Sequence, residues 1–299
     1  MLNSPRYAGY ILAAAGAALF STKAIFIKLA YQERVDGALM LAYRMIFAFP
    51  FYAVIGLWAI DQRRRRGLPP ITAASWLLAA LTGFTGYYVA SQLDFAGLEY
   101  ISAQLERLVL FTYPMFIMFL GAIFAAQPLT ATGLLASAIT YLGLAIVFAA
   151  DLPDGGRDTI IGTLLVLGAA FAFAVHHLLA KRVIPVMGSA LFTAVALSTA
   201  SICCVLHQLV ASGNFAASPR FLWLSAGCAV FATVLPTFLI NAGIARTSPQ
   251  AVAMISTVSP LVTIGLAVAI LGEPFTIADA VGSALVLAGV GMFTWGDRR

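Results

Sequence analysis

Charged side chains are scarce in this sequence of 299 residues: only 10% are Asp, Glu, Lys or Arg, whereas 62% are hydrophobic. Soluble domains carry about 25% charged and about 45 to 50% apolar residues. The shortage of charge therefore excludes a cytosolic enzyme, a secreted domain and a disordered linker protein. The net charge of +5 comes mostly from short basic runs between apolar stretches. This distribution is typical of a membrane protein and excludes a nucleic-acid binder.

Cysteines and catalytic motifs are also few. Cys203, Cys204 and Cys228 lie inside apolar runs, without a CxxC pair or a matching histidine spacing. They are too few for a disulfide framework, and we expect them to pack as small buried side chains. The sequence shows no HExxH pattern, no paired carboxylates and no nucleophile with its base at membrane depth. It therefore predicts no catalytic residue, no metal site and no cofactor.

Ten apolar runs follow one another with short connections, each long enough to cross a bilayer core about 30 Å thick. The first run is too long for a signal-peptide core and is predicted as a span. With the N-terminus in the cytoplasm, ten Lys and Arg residues fall on the inner side and three on the outer side, which predicts that both termini are cytoplasmic. We predict an all-α protein of the bacterial inner membrane. Its spans are 8–30, 37–60, 72–92, 97–123, 130–150, 159–180, 186–211, 220–241, 249–271 and 277–295.

The chain contains an internal duplication. Residues 96–147 align without gaps on residues 242–293 at a constant offset of 146, and Pro114 pairs with Pro260. We predict two five-helix repeats, 1–150 and 151–299. Because five is odd, the repeats enter the membrane with opposite orientations. Inverted repeats of this kind are a recurring architecture of secondary transporters, whose substrate site lies at the repeat interface near the membrane midplane.

The duplicated motifs resemble the drug/metabolite transporter superfamily, and within it the EamA family of ten-helix metabolite exporters, along essentially the whole chain. The resemblance implies export of small metabolites, with amino acids prominent among the substrates, and aromatic amino-acid exporters are one such relative. The sequence departs from the family in having Gln127 in place of Glu and the charged pair Glu106-Arg107 in place of small or apolar residues. The residues that carry the resemblance are Ser102, Pro114, Pro128, Ser248, Pro249, Ala251, Pro260 and Gly272-Glu273-Pro274.

Four charged residues share one layer inside the predicted spans, roughly 10 to 15 Å from the outer ends. They are Lys23, Arg44, Glu106 and Arg107, and their formal sum is +2. Charges in a membrane face the bundle interior and pair, so Glu106 is expected to neutralise one cation. A substrate carboxylate, anchored by Lys23 or Arg44, is one hypothesis for the remaining positive charge. Structural bonds from Arg44 and Arg107 to backbone carbonyls are the other.

Polar and aromatic residues on other spans are candidates for the same cavity. His176 aligns within one residue of Lys23 in the repeat, and at most one of His176 and His177 is expected to face the cavity squarely, because neighbouring helical positions point about 100° apart. Tyr87, Tyr88, Gln92 and Tyr113 offer the aromatic walls and polar groups from which small-molecule sites are built. Tyrosines at span ends are also typical of the interfacial belt, and a histidine near a span end also suits the headgroup region.

Pro114 and Pro260 interrupt the fourth and ninth spans at matched positions. Each removes a backbone hydrogen bond, so these spans are expected to line the path or to bend during transport, unless the kinks serve packing alone. We predict a secondary transporter that exports amino acids, aromatic or otherwise neutral, by alternating access. Its partners are a small-molecule substrate and the lipid bilayer, and the chain is expected to be a monomer. A non-amino-acid metabolite or drug is the alternative substrate, and an intramembrane enzyme or a channel is a weaker alternative.

Overall fold

A computed structural model describes residues 5–125, 130–246 and 259–296, and this part of the chain is helical without a strand. Apolar runs form helices here because, in lipid, each backbone polar group must be satisfied within its own segment. The α-helices are α1 Pro5–Ser21, α2 Lys23–Tyr31, α3 Gly37–Arg65, α4 Ala73–Gly83, α5 Ala90–Leu98, α6 Ala103–Leu110, α7 Tyr113–Ala125, α8 Ala131–Met187, α9 Ser189–Ala211, α10 Pro219–Ala229, α11 Leu235–Arg246, α12 Ser259–Leu266 and α13 Ile277–Gly296.

Seven helical segments within these ranges are long and apolar enough to cross a membrane, and two shorter apolar helices, Ser259–Leu271 and Ile277–Met292, follow them. A further continuous helix runs through α4 and α5. Large apolar side chains remain exposed on the outside, such as Val210 at 88% and Trp223 at 79%. A surface of this kind is suited to lipid rather than water. The prediction of a helical membrane protein is thus confirmed, whereas the number of ten spans and the side of the membrane on which each terminus lies stay predictions.

Several predicted spans contain breaks. The first span has a turn at Thr22 between α1 and α2, and the fourth has one at Phe111 and Thr112 between α6 and α7. α8 is one helical run containing Gly156 at φ 51° and ψ −120°. Glycine tolerates this left-handed conformation, so two consecutive spans meet there.

The described residues include three π-helical segments: Phe84–Val89 and Val230–Val234 lie within helices, and Ala267–Leu271 ends the helix that contains α12. The first two begin 146 positions apart, which is the offset of the sequence duplication. A π segment shifts the side chains that follow it around the helix and is frequent at functional sites. The two matched segments carry Tyr87 and Thr233 toward the centre of the molecule.

Helix pairs from the two halves of the chain pack closely along small residues. α1 lies on α11, α3 lies on α9, and the first part of α8 lies on α13. A Cβ on Gly143 would lie 2.6 Å from the Gly282 carbonyl oxygen, and one on Gly289 would lie 2.7 Å from the Ala136 carbonyl oxygen. These two contacts exchange under the offset of 146, so the α8–α13 interface repeats itself in reverse. Glycine permits this backbone approach in membrane bundles.

Pro114 takes a position at a helix start. It is the second residue of α7, directly after the break in the fourth span, whereas Pro260 is the second residue described after the gap at 247–258. Proline fits the first turn of a helix because its missing N–H has no intrahelical partner there. Gln127, Pro128, Ser248, Pro249 and Ala251 lie outside the described residues.

Candidate functional site

A cavity of about 380 Å³ lies between the two halves of the chain, and a second cavity of about 160 Å³ adjoins it. The larger volume falls within the range of about 300 to 1,000 Å³ typical of small-molecule sites. Seven α-helices line the larger cavity, namely α1, α6, α7, α8, α9, α11 and α12, together with Phe111 in the break before α7 and Tyr87 in the first π segment. Both cavities share Phe20, Tyr87, Leu110, Phe173 and Thr237.

The two halves contribute side chains in matched pairs. Tyr113 and Ser259 line the larger cavity, whereas Tyr87 and Thr233, and also Ser91 and Thr237, line the smaller one. Each pair is 146 positions apart. The cavities therefore lie where duplicated positions face one another.

A buried ion cluster forms the wall beside the smaller cavity. Lys23 Nζ donates to Asp94 Oδ2 at 2.5 Å and to Glu106 Oε1 at 3.4 Å. Glu106 is fully buried, and its second oxygen and Asp94 Oδ1 have no hydrogen-bond partner among the described residues. The arrangement places one ammonium between two carboxyl groups.

Asp94 is the charged residue that the sequence reasoning missed. The third span was predicted to end at residue 92, which would place Asp94 in a connection, but α5 continues to Leu98 and Asp94 is 3% exposed. The apolar residues Phe95 to Leu98 after it were the available signal. The expectation that no carboxylates pair at membrane depth is therefore corrected, because Asp94 and Glu106 meet around Lys23.

Arg107 projects into the larger cavity from α6. Its Nη2 donates to Ser259 Oγ at 2.5 Å, and the hydroxyls of Ser259 and Ser21 are 2.6 Å apart. The guanidinium lies 5.3 Å from the centre of the Phe20 ring and 5.6 Å from that of Phe111. Rings at this distance stabilise a cation without neutralising it. Arg107 Nε has no partner in the described part of the chain.

Arg44 occupies the smaller cavity. Its Nη2 donates to Ser91 Oγ at 3.3 Å, and its guanidinium lies 4.9 Å from the centre of the Phe95 ring. Within the described ranges 5–125, 130–246 and 259–296, no carboxylate lies within 4 Å of Arg44 or Arg107. Neither arginine donates to a backbone carbonyl in the described hydrogen bonds. Both guanidinium groups are therefore buried cations without an acidic partner in that region.

Lys23 is positioned differently from the two arginines. Its ammonium already has two carboxylates, so it supplies no excess positive charge to a ligand. The sequence hypothesis of a substrate anchor at Lys23 or Arg44 stays untested. The geometry favours an arginine, because a guanidinium has five donors and those of Arg107 and Arg44 face a cavity.

The two histidines have separate environments. The Nδ1 atom of His176 is 2.9 Å from the Thr82 carbonyl oxygen, and its ring packs so closely on Gly86 that no Cβ would fit there. His177 lines the larger cavity beside Tyr113 and Phe173. The structure thus assigns the cavity position to His177, and the expectation for His176 is corrected, because tight helix packing places that ring against α4 and the first π segment.

The aromatic candidates divide in the same way. Tyr87 lines both cavities and Tyr113 lines the larger one. The Tyr88 hydroxyl is 2.7 Å from His207 Nδ1, so Tyr88 bonds at a different place. Gln92 lines neither cavity, and its Nε2 has no described partner. Phe20, Phe111 and Phe173 complete the aromatic walls, but among 21 phenylalanines no sequence pattern distinguished them.

Glu273 of the Gly-Glu-Pro motif joins the two halves. Its carboxylate accepts from the backbone N–H of Ala103 at 2.9 Å and of Gln104 at 3.3 Å. These are the first residues of α6, whose N-terminus favours a negative charge. Gln104 Nε2 also donates to the Pro274 carbonyl oxygen at 3.0 Å. The motif therefore fixes the start of the helix that carries Glu106 and Arg107.

The described residues contain no group of three or more His, Cys, Asp or Glu side chains that could hold a metal ion.

Comparison with known proteins adds family information. The model of the EamA-like transporter family matches residues 7–149 and again residues 160–295. YcbK of Bacillus subtilis (strain 168), named an uncharacterized transporter, is 27% identical over 92% of this chain and 89% of its own length. YetK of the same organism, also named an uncharacterized transporter, is 24% identical over 97% of this chain and 88% of its own length. A solved crystal structure has a TM-score of 0.61 at 18% identity, covering 97% of this chain and 99% of the other, which shows a similar fold.

Proposed function

The chain belongs to the EamA-like transporter family of the drug/metabolite transporter superfamily, and from this premise we propose that it exports small metabolites by alternating access around the central cavity. It is an integral membrane protein and a transporter rather than an enzyme. The substrates that we propose are amino acids with aromatic or other neutral side chains. The alternative is a non-amino-acid metabolite or drug that has an anionic group.

The observation that carries the proposal is a cavity lined by matched residues from both halves of the chain. The pairs at an offset of 146 support two inverted five-helix repeats, 1–150 and 151–299, with the substrate at their interface. The family model matching twice, once in each half, supports the same division. We further propose ten spans with both termini in the cytoplasm of a bacterium, in the inner membrane, and a monomer as the transporting unit.

The cavity chemistry supports an amphipathic substrate. Five phenylalanine and tyrosine rings line the larger cavity, which suits an apolar substrate side chain. Arg107 offers a cation for a substrate carboxylate. Tyr87, Tyr113 and His177 add polar groups at the walls. A few placed polar groups among aromatic surface are the usual composition of a small-molecule site.

Contacts at the predicted outer end support an inward-facing conformation. Glu33 accepts from Arg220 at 3.0 Å and from Ser218 at 2.8 Å, which joins the end of α2 to the start of α10. The larger cavity extends instead toward predicted inner ends, where Ile240 and His177 line it. In alternating access the outer contacts would break while the inner ends close.

Flux measurements test the proposal. Purified protein is reconstituted in liposomes loaded with each of the twenty amino acids, and efflux is followed with and without an imposed pH gradient. We expect efflux of a subset that includes Phe, Tyr, Trp, Leu or Met. The absence of efflux for every amino acid, with protein shown to be folded, would remove the amino-acid proposal and favour the alternative substrates. Liposomes with a Tyr87→Ala variant serve as the site control.

A further inference from the structure

The charges around the two cavities do not cancel. With every group ionised, Lys23, Arg44 and Arg107 supply three positive charges and Asp94 and Glu106 two negative charges, so the sum is +1, and a protonated carboxyl would raise it to +2. The undescribed internal stretches 126–129 and 247–258 read AQPL and TSPQAVAMISTV and contain no charged residue, and the undescribed ends read MLNS and DRR.

The neighbouring ionised residues leave the sum unchanged. Lys28 lies five residues further along α2, and Glu273 caps the start of α6. Their charges are opposite and cancel. A positive site in a membrane core is costly unless a negative group balances it. No described carboxylate lies within 4 Å of Arg44 or Arg107, so the anionic group of a ligand would balance this charge.

The sum distinguishes two classes of ligand. A monoanion brings one negative charge and lowers the positive sum by one. A zwitterionic amino acid adds no net charge, so the positive sum is unchanged, and its ammonium enters a region that already holds three cations. The two carboxylates that could accept that ammonium are both within 3.4 Å of Lys23 Nζ. An ammonium bound at their remaining oxygens, Asp94 Oδ1 and Glu106 Oε2, would therefore lie beside the Lys23 ammonium and be repelled by it.

We propose that the cavity selects aryl and alkyl monocarboxylates over the zwitterionic amino acids with the same side chain, and that Arg107 binds the carboxylate. This inference rests on the proposed transport through the central cavity, and it favours the anionic alternative substrates over the amino acids. Arg107 is suited to the role because it lines the larger cavity, has an unpartnered Nε and is held in place by Ser259. The surrounding rings of Phe20, Phe111 and Tyr113 would contact the apolar part of the ligand.

A matched ligand series tests the selection on the unaltered protein. Binding of 3-phenylpropionate, L-phenylalanine and 2-phenylethylamine to the full-length protein in nanodiscs is measured by calorimetry at pH 7.5. These compounds share one aryl skeleton and differ in carrying the carboxylate, both groups or the amine alone. We expect 3-phenylpropionate to bind roughly tenfold or more tightly than L-phenylalanine, the scale of one charge-assisted hydrogen bond. No binding of 2-phenylethylamine is expected. Equal or tighter binding of L-phenylalanine would overturn the inference.

Variants test the assignment to Arg107. Arg107→Gln lowers the site sum to zero and should weaken 3-phenylpropionate binding by roughly tenfold or more while leaving L-phenylalanine binding less affected, so that the discrimination disappears. Arg107→Lys keeps the charge and should retain the preference at lower affinity. Arg66→Gln, at the exposed end of α3, removes a positive charge away from the cavity and should change nothing. Unchanged discrimination in Arg107→Gln would refute the role of Arg107.

The outcomes separate this inference from the proposed function. If L-phenylalanine leaves liposomes and also binds at least as tightly as 3-phenylpropionate, the monoanion selection is wrong and amino-acid export stands. If none of the three aryl compounds binds, the inference is also wrong, whereas the flux assay with all twenty amino acids decides the proposed function independently. Tighter binding of 3-phenylpropionate together with poor efflux of every amino acid would support the inference and move the proposed function to its alternative substrates.

Discussion

The ion cluster of Lys23, Asp94 and Glu106 predicts a fixed order of destabilisation by single substitutions. Removing one member of a buried ion pair costs about 3 to 5 kcal/mol, because it leaves an uncompensated charge in a medium of low dielectric constant. Lys23→Met leaves two buried carboxylates without their cation, so we expect the upper value, about 5 kcal/mol. Asp94→Asn removes the partner at 2.5 Å but leaves Glu106 at 3.4 Å, so we expect about 3 kcal/mol. Glu106→Gln removes only the longer contact and keeps an acceptor oxygen, so we expect about 1 kcal/mol.

Unfolding of the purified variants in one detergent, followed by intrinsic fluorescence against denaturant, measures this order. Arg65→Gln is a control, since its partner Asp61 lies 2.7 Å away in an exposed pair that should contribute less than about 1 kcal/mol. Lys23→Met combined with Asp94→Asn should lose less than the sum of the single losses, because the groups contact each other. An unchanged midpoint in Asp94→Asn, or a larger loss in Glu106→Gln than in Lys23→Met, would refute the reasoning.

Three further predictions concern other parts of the molecule. Glu273→Gln keeps the side-chain shape but loses the charge at the N-terminus of α6, so denaturant unfolding should show a loss of about 1 kcal/mol; an unchanged midpoint would contradict the capping role. Gly143→Val should lower the free energy of unfolding by about 1 to 3 kcal/mol through overpacking between α8 and α13. Gly265→Ala should leave it unchanged, because the space around its Cβ is open. His177→Ala should weaken ligand binding in calorimetry with little effect on unfolding, and His176→Ala should do the reverse; identical effects of the two would contradict their placement.

The hydrophobic pattern was enough to predict a helical membrane protein. Apolar runs of about 20 residues cross a bilayer whatever their neighbours do, because lipid imposes length and internal hydrogen bonding on each segment separately. The duplication at an offset of 146 could also be detected by aligning the sequence with itself. It reappears in the structure as the matched π segments and the reversed glycine contacts of Gly143 and Gly289.

The partners of the buried charges could not be predicted in the same way. A span boundary misjudged by a few residues left Asp94 out of the charge sum, and the error changed the sum from +1 to +2. Likewise, His176 and His177 are adjacent in sequence, and only the rotation of α8 against the first π segment decides which ring faces the cavity. Such rotations depend on packing between helices that are distant along the chain.

The sequence by itself determined that the chain is helical and suited to lipid, that positions 146 apart match, and that charged residues occur within apolar runs, because each depends on local composition or on self-similarity. Tertiary structure alone decided that Lys23 is neutralised by two carboxylates while Arg107 faces a cavity without one. The physical reason is that Coulomb interactions depend on distances of a few ångströms between α2, α5 and α6. Those distances are set by how the helices pack, and no pattern along the chain records them.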